Sequence, residues 1–251
     1  MFVGNQAKST DTIMSTVDSI MAELKAKGSE QTRKTYARHG LPADRMFGVS
    51  VADLKIIAKK IKGQQQLAMD LYATGNLDAM YLAGMVADGA KMTRDQLQYW
   101  AEGAAGMPLI YDYSVPWVTI ENAEARNLAL EWIDSKQEHI AAAGWRTYIG
   151  LVTTKADSDL DLAEVEGLLQ RVVSEIDGAE NRAKQSMNSF VITVGSYVKP
   201  LLKQAKATAN QLGIVTVDVG DTACKIPVAT EYIAKMEANG KQGQKRKTIR
   251  C

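Results

Sequence analysis

The chain has 251 residues, 46% of them hydrophobic and 24% charged, with a formal net charge of +1. That composition is typical of a soluble globular protein of one large or two small domains, long enough to bury a substantial core. It excludes a membrane span, because no apolar run approaches the roughly 18 residues required. It also excludes a spaced metal centre, because two His and two Cys are scattered along the chain. Cys224 and Cys251 form no disulfide pattern, which favours a reduced, cytoplasmic setting. The start, MFVGNQAKSTDT, lacks the blocks of a secretory signal.

Taken in order, residues 1–13 read as a disordered lead-in, with Met14 a candidate start. Thr10, Asp11 or Thr12 is expected to cap a first helix running through Ile13, Val17, Ile20, Met21 and Leu24, and Gly28 to end it. A polar helix follows from Glu30 to His39. Ser50 with Asp53 forms a capping box in its acidic variant, opening a helix with a Leu54, Ile57, Ala58, Ile61 stripe. Lys55, Lys59, Lys60 and Lys62 stay outside, as a solvated face or as a phosphate-contacting row. Further helices are expected over 64–73, 77–89 and 93–105, the last opened by a Thr93–Gln96 capping box. Beyond the middle of the chain, helices read over 118–134, 136–153, 160–176, 180–198 and 200–212. The alternating valines 215, 217 and 219 read as an extended segment or at most a small ribbon. Pro227 suits the first position of a last helix through Met236.

Charge is polarised along this order. Between Asp157 and Glu180 eight acids face a single base, Arg171, whereas Lys241 to Arg250 holds five bases and no acid. Helix pairs recurring at roughly 30 to 45 residues place the chain in the all-α class, as an α–α superhelix of degenerate two-helix repeats. Such a stack curves and offers a concave face. The expected organisation is one solenoid domain over 14–239 and a flexible basic tail over 240–251.

The densest chemistry lies at MPLIYDYSVPW, residues 107–117. Pro108 and Pro116 lack an amide donor, so this segment reads as a break or a helix start carrying Tyr111, Asp112, Tyr113 and Trp117.

The order of these pieces resembles the DNA alkylation repair family, the AlkD-like glycosylases built from HEAT-like repeats. The resemblance rests on Phe47-Gly48-Val49 before ADLKIIAKKI, on DLYATGNLDAMYLAGMVAD, on YDYSVPW, and on WIDSKQEHIAAAGWRTY and RAKQSMNSFVITVGSY. It covers residues 15 to 212. It implies a protein without metal or cofactor that holds double-stranded DNA in a basic concave groove and releases N3- or N7-alkylated purines; the solenoid reading makes a monomer the default. A cationic purine leaving deoxyribose builds positive charge on the sugar, which a carboxylate and aromatic faces stabilise.

The family's central motif is Trp-Asp-x-Val-Asp. Setting Val115 on its Val places Asp112 at the Trp position and Pro116 at the catalytic Asp. With proline at that position, Asp112 is the carboxylate expected to replace it, with Tyr111 or Tyr113 beside it as the catalytic group. The family Arg falls on Ala142, with Arg146 one turn further on, and its later aromatic falls at Ser189 or Phe190. Trp117, Arg146, Phe190, Lys245, Arg246 and Lys247 are the expected DNA contacts. Two functions stay open: a repair glycosylase, or a non-catalytic scaffold that binds branched or damaged DNA or a protein partner.

Overall fold

The structure, a computed structural model, describes residues 16–250. The expected 1–13 lead-in, the Met14 start, the caps Thr10 to Thr12, Ile13 and Cys251 lie outside the described residues. Thirteen α-helices and no strand occur among the described residues. The first five are α1 (Val17–Lys27), α2 (Glu30–Arg38), α3 (Val51–Lys60), α4 (Gln65–Ala73) and α5 (Leu77–Val86). Next come α6 (Arg94–Gly103), α7 (Val115–Thr119), α8 (Ala125–Ile133) and α9 (Glu138–Thr154). The chain closes with α10 (Leu162–Glu175), α11 (Asn181–Tyr197), α12 (Leu202–Leu212) and α13 (Ala229–Ala238).

Local sequence explains the starts. The Thr93 hydroxyl accepts from the Gln96 amide at 3.2 Å, and the Gln96 side chain accepts from the Thr93 amide at 2.9 Å, closing the expected box. Ser50 accepts from the Asp53 amide at 3.1 Å, and Asp53 also pairs with Lys27. Helix α1 is capped by Thr16. The lysine row on α3 is exposed, and Lys60 pairs with Glu23 at 2.6 Å.

The helices assemble as pairs, α4 with α5, α6 with α7, α8 with α9, α10 with α11 and α12 with α13. The second members α5, α7, α9, α11 and α13 pack one against the next. Ion pairs across successive first members report the repeat length directly. Arg94–Glu131 joins residues 37 apart, Arg126–Glu164 residues 38 apart, and Arg171–Asp134 residues 37 apart. These pairs are exposed and add little stability each; their spacing is what the stacking imposes. The core is carried by the second members. Every residue from Leu77 to Gly84 of α5 is buried, and α9 buries both Trp145 and Tyr148.

Three segments differ from the sequence reading. The helix expected over 118–134 is split, because the Asn122 side chain leaves the helical path to donate to the carbonyls of Gly89 (2.9 Å) and Met92 (2.8 Å). Residues 213–228 form neither helix nor strand and bend at 214 and 221–222, held where Asn181 bonds both the amide and the carbonyl of Asp218. The basic tail makes ordered contacts, described with the interface below.

One buried carboxylate ties the first repeats together. Asp78, fully buried in the first turn of α5, accepts from the amides of Phe47 (2.6 Å), Gly48 (3.1 Å) and Val49 (2.9 Å). Burial pushes its carboxyl above the usual range and the three amides pull it back. The Phe47-Gly48-Val49 segment thus owes its place to Asp78. Asp78→Asn sets an NH2 donor against amide donors and is expected to lower stability by about 1–3 kcal/mol. Urea unfolding measures this, and an unchanged midpoint contradicts it.

Candidate nucleic-acid interface

The 107–117 stretch is a helix start. The chain leaves the helix after α6, turns over residues 104–107 and re-enters helix at Pro108. It then passes through a wide π-helical turn, Ile110–Ser114, that runs straight into α7. Pro116 is the physical cause. An α-helical pattern would return the amide of residue 116 to the carbonyl of Asp112, and proline has none. The turn widens, and the Val115 amide bonds to the Ile110 carbonyl five residues back. The wide turn is accepted because α5 offers Gly84 opposite it. A Cβ there would sit 2.5 Å from the Ser114 Cβ.

This geometry sorts the central residues. Asp112, Tyr113, Pro116 and Trp117 line a cavity of about 340 Å³, which α9, α11, the start of α13 and the tail complete. Tyr111 faces the other way and is buried, and burial pushes its phenol well above the usual range. It is a core residue. Trp117 is buried at the cavity floor, 5.1 Å from the Tyr81 ring and 5.9 Å from the Tyr113 ring.

The charged feature of the cavity is an ion pair. Arg146 Nε of α9 donates to Asp112 Oδ1 at 3.1 Å, with the two side chains 21% and 13% exposed. Partial burial makes such a pair stronger than a surface one, and removing one partner leaves the other unbalanced. The pair also sits where the structure changes hands. The π-turn and α7 belong to the first hydrophobic cluster, while α9 contributes Ala142 to the first and Trp145 to the second.

The tail forms the remaining wall. Gln242 and Gly243 donate to the carbonyls of Gly195 (3.2 Å) and Ser196 (2.8 Å) at the end of α11. The amide of Arg246 and the ammonium of Lys245 donate to Thr153 (3.0 Å) and Val152 (2.8 Å) at the end of α9. Lys245 also pairs with Asp157 at 2.8 Å. Arg250 reaches the end of α5, donating to Gly84 (3.1 Å), Met85 (3.2 Å) and Ala87 (2.8 Å), and pairs with Glu121 at 2.5 Å. Three helix C-termini thus receive donors from one segment, where orphan carbonyls and the negative dipole end favour cations. Ile249 packs against the first hydrophobic cluster where Gly150 leaves room; a Cβ at 150 would lie 2.9 Å from it. The segment expected to be a free tail is a strap across helix ends.

The sequence-derived contacts divide accordingly. Asp112, Tyr113, Trp117, Arg146 and Arg246 are brought together around the cavity. Lys245 is engaged with the helix ends, and Lys247 is exposed. Phe190 is a correction: it is fully buried between Trp145 (5.2 Å) and Tyr148 (5.9 Å), and its neighbour Ser189 lines the cavity instead. Tyr197, Tyr232 and Ile249 also line it, and sequence reasoning did not single them out. Ile249, the apolar residue among the tail's charges, was the available signal. Among the described residues no group of three or more His, Cys, Asp or Glu could hold a metal, and no helix is long and apolar enough to cross a membrane.

Comparison with known proteins adds the following. The model of the DNA alkylation repair enzyme family matches residues 20–213. A solved structure, described as a new family of proteins related to the HEAT-like repeat DNA glycosylases with affinity for branched DNA structures, is 37% identical. It superposes with a TM-score of 0.86 over 94% of this chain and 100% of that one. An uncharacterized protein of Listeria innocua is 30% identical over 225 residues, 88% of this chain and 97% of its own. One of Listeria monocytogenes is 31% identical over the same shares. The fold is therefore an α-solenoid of HEAT-like repeats.

The strap makes a direct prediction. Charge-assisted bonds contribute roughly 1.5–3 kcal/mol each, so Arg250→Ala should loosen the far end of the segment. Amide exchange at Gly243 and Arg246 is expected to be slow in the parent chain and faster in the variant. Equally fast exchange in both would contradict the strap.

Proposed function

The chain belongs to the DNA alkylation repair enzyme family, and from that premise we propose that it binds DNA, with branched or distorted DNA as its ligand. The binding face is the one built by the π-turn, α9 and α11. The observation that carries this reading is the Asp112–Arg146 pair beside the tyrosine-lined cavity. Arg146 and Arg246 suit phosphate oxygens, because a guanidinium fork matches their geometry. The half-exposed tyrosines suit bases rather than backbone. The affinity for branched DNA described for the 37% identical relative supports the same ligand class.

Binding without excision fits the charges best. Releasing an alkylated purine needs a carboxylate that faces the cationic sugar, and here Arg146 already balances the Asp112 charge. The position that the resemblance implies for the catalytic Asp is Pro116, which has no polar side chain. Excision is the second reading, favoured by one observation: Asp112 lines the cavity. A phosphate that drew Arg146 away would leave that carboxylate facing the ligand.

Two measurements test these readings. Affinity for a three-way DNA junction should fall steeply with salt, by a logarithmic slope of about 0.9 per neutralised phosphate. Arg146→Ala and Arg246→Ala should each weaken binding several-fold and lower that slope by about one. A flat salt response would contradict DNA binding and favour a protein partner. With DNA alkylated at purine N7 and N3, no free base is expected above a no-enzyme control. Release that Asp112→Asn abolishes would establish excision.

A further inference from the structure

We propose that the cavity beside Asp112 and Arg146 takes a single unpaired nucleobase, the kind exposed at a DNA branch point. This rests on the DNA-binding reading above and names the part of the DNA that the cavity reads. At about 340 Å³ the cavity lies at the low end of small-ligand pockets, ~300–1,000 Å³. That volume admits a flat ring system and excludes a helical stem. The strap enforces the same limit, since Arg246 and Ile249 close one wall, Arg246 is tied to the end of α9, and Arg250 next to Ile249 is tied to the end of α5.

The lining fits a base. Tyr113 and Tyr232 are each 44% exposed, and both line this cavity, one from the π-turn and one from α13. Two part-exposed aromatic rings on the wall of one small cavity give a base surfaces to stack on. Tyr113 is braced from behind by Tyr81 at 6.4 Å and Trp117 at 5.9 Å, so its ring is set before a ligand arrives. Arg146 and Arg246 border the same space and supply the cations that a nucleotide phosphate requires.

Duplex DNA cannot use such a slot without unpairing, because both faces of a paired base are covered by its neighbours. A base already unpaired at a branch point enters at the least cost. The cavity would then convert the shape of a junction into affinity, with no contact to base edges needed. Sequence preference should accordingly be weak.

The test uses the full chain and a three-way junction with one unpaired adenine at the branch point. A matched junction carries an abasic residue there. Fluorescence anisotropy should show the adenine junction bound roughly tenfold more tightly, in line with the cost of losing one base–aromatic stack. Tyr232→Ala should bind both junctions alike, at the level of the abasic one, while Tyr232→Phe keeps the preference. Tyr232 is half exposed, so its truncation leaves the core intact; a melting curve checks that. Equal affinity of the parent chain for the two junctions would overturn the base pocket and leave DNA binding standing. Failure to bind either junction would overturn both.

Discussion

Pro116 has no amide to return to the carbonyl of Asp112, and the helix answers by widening at Ile110–Ser114 instead of ending. The consequence is geometric. In the widened turn Asp112 and Tyr113 come round to the cavity, Tyr111 turns into the core, and Arg146 of α9 lies within 3.1 Å of Asp112. The neighbouring helix has to permit this, and Gly84 of α5 does so by leaving room for Ser114. A proline, a glycine on the second helix of the preceding pair and an ion pair therefore act together. Removing the proline's constraint would let the turn relax to α-helical register and rotate Asp112 off its partner.

The second organising feature is electrostatic and follows from stacking. Parallel second helices bring their C-termini to one side, and each ends in carbonyls with no helical partner. A short segment rich in amides and cations answers that row. Lys245 and Arg250 are spent on α9 and α5, while Arg246 and Lys247 remain toward the solvent and the cavity. The near-zero net charge of the chain hides this arrangement. Of its acids between 157 and 180, Glu164 pairs with Arg126 of the preceding first helix, Glu175 pairs with Arg171 within α10, and Asp157 meets Lys245 of the strap.

Much of the fold was legible from the residues, and the reasons are local. Caps such as Thr93 with Gln96 and stripes such as Leu54, Ile57 and Ile61 act over three or four residues, so the chain declares them itself. The π-turn was not legible, because two prolines say only that donors are missing. Whether a helix breaks or widens depends on Gly84, about thirty positions earlier in the sequence. The strap was hidden for the same reason at greater range, since Arg250 meets Gly84 across 166 residues. Phe190 and Ser189 show a different limit. One residue along a helix turns a side chain by about 100°, so a one-residue uncertainty in matching decides between core and cavity. Tyr232 gave no periodic signal, because an exposed aromatic on an amphipathic helix breaks its pattern.

The central claim is that DNA engages the face made by the π-turn, α9 and α11 and walled by the strap. Amide hydrogen exchange of the whole chain, with and without a saturating three-way junction, tests it most directly. The account predicts added protection in peptides covering residues 110–119, 146–153, 189–197 and 241–250, with the acidic stretch 160–180 unchanged. Protection confined to α1–α4, or spread over the acidic segment, would place the ligand elsewhere and contradict the account.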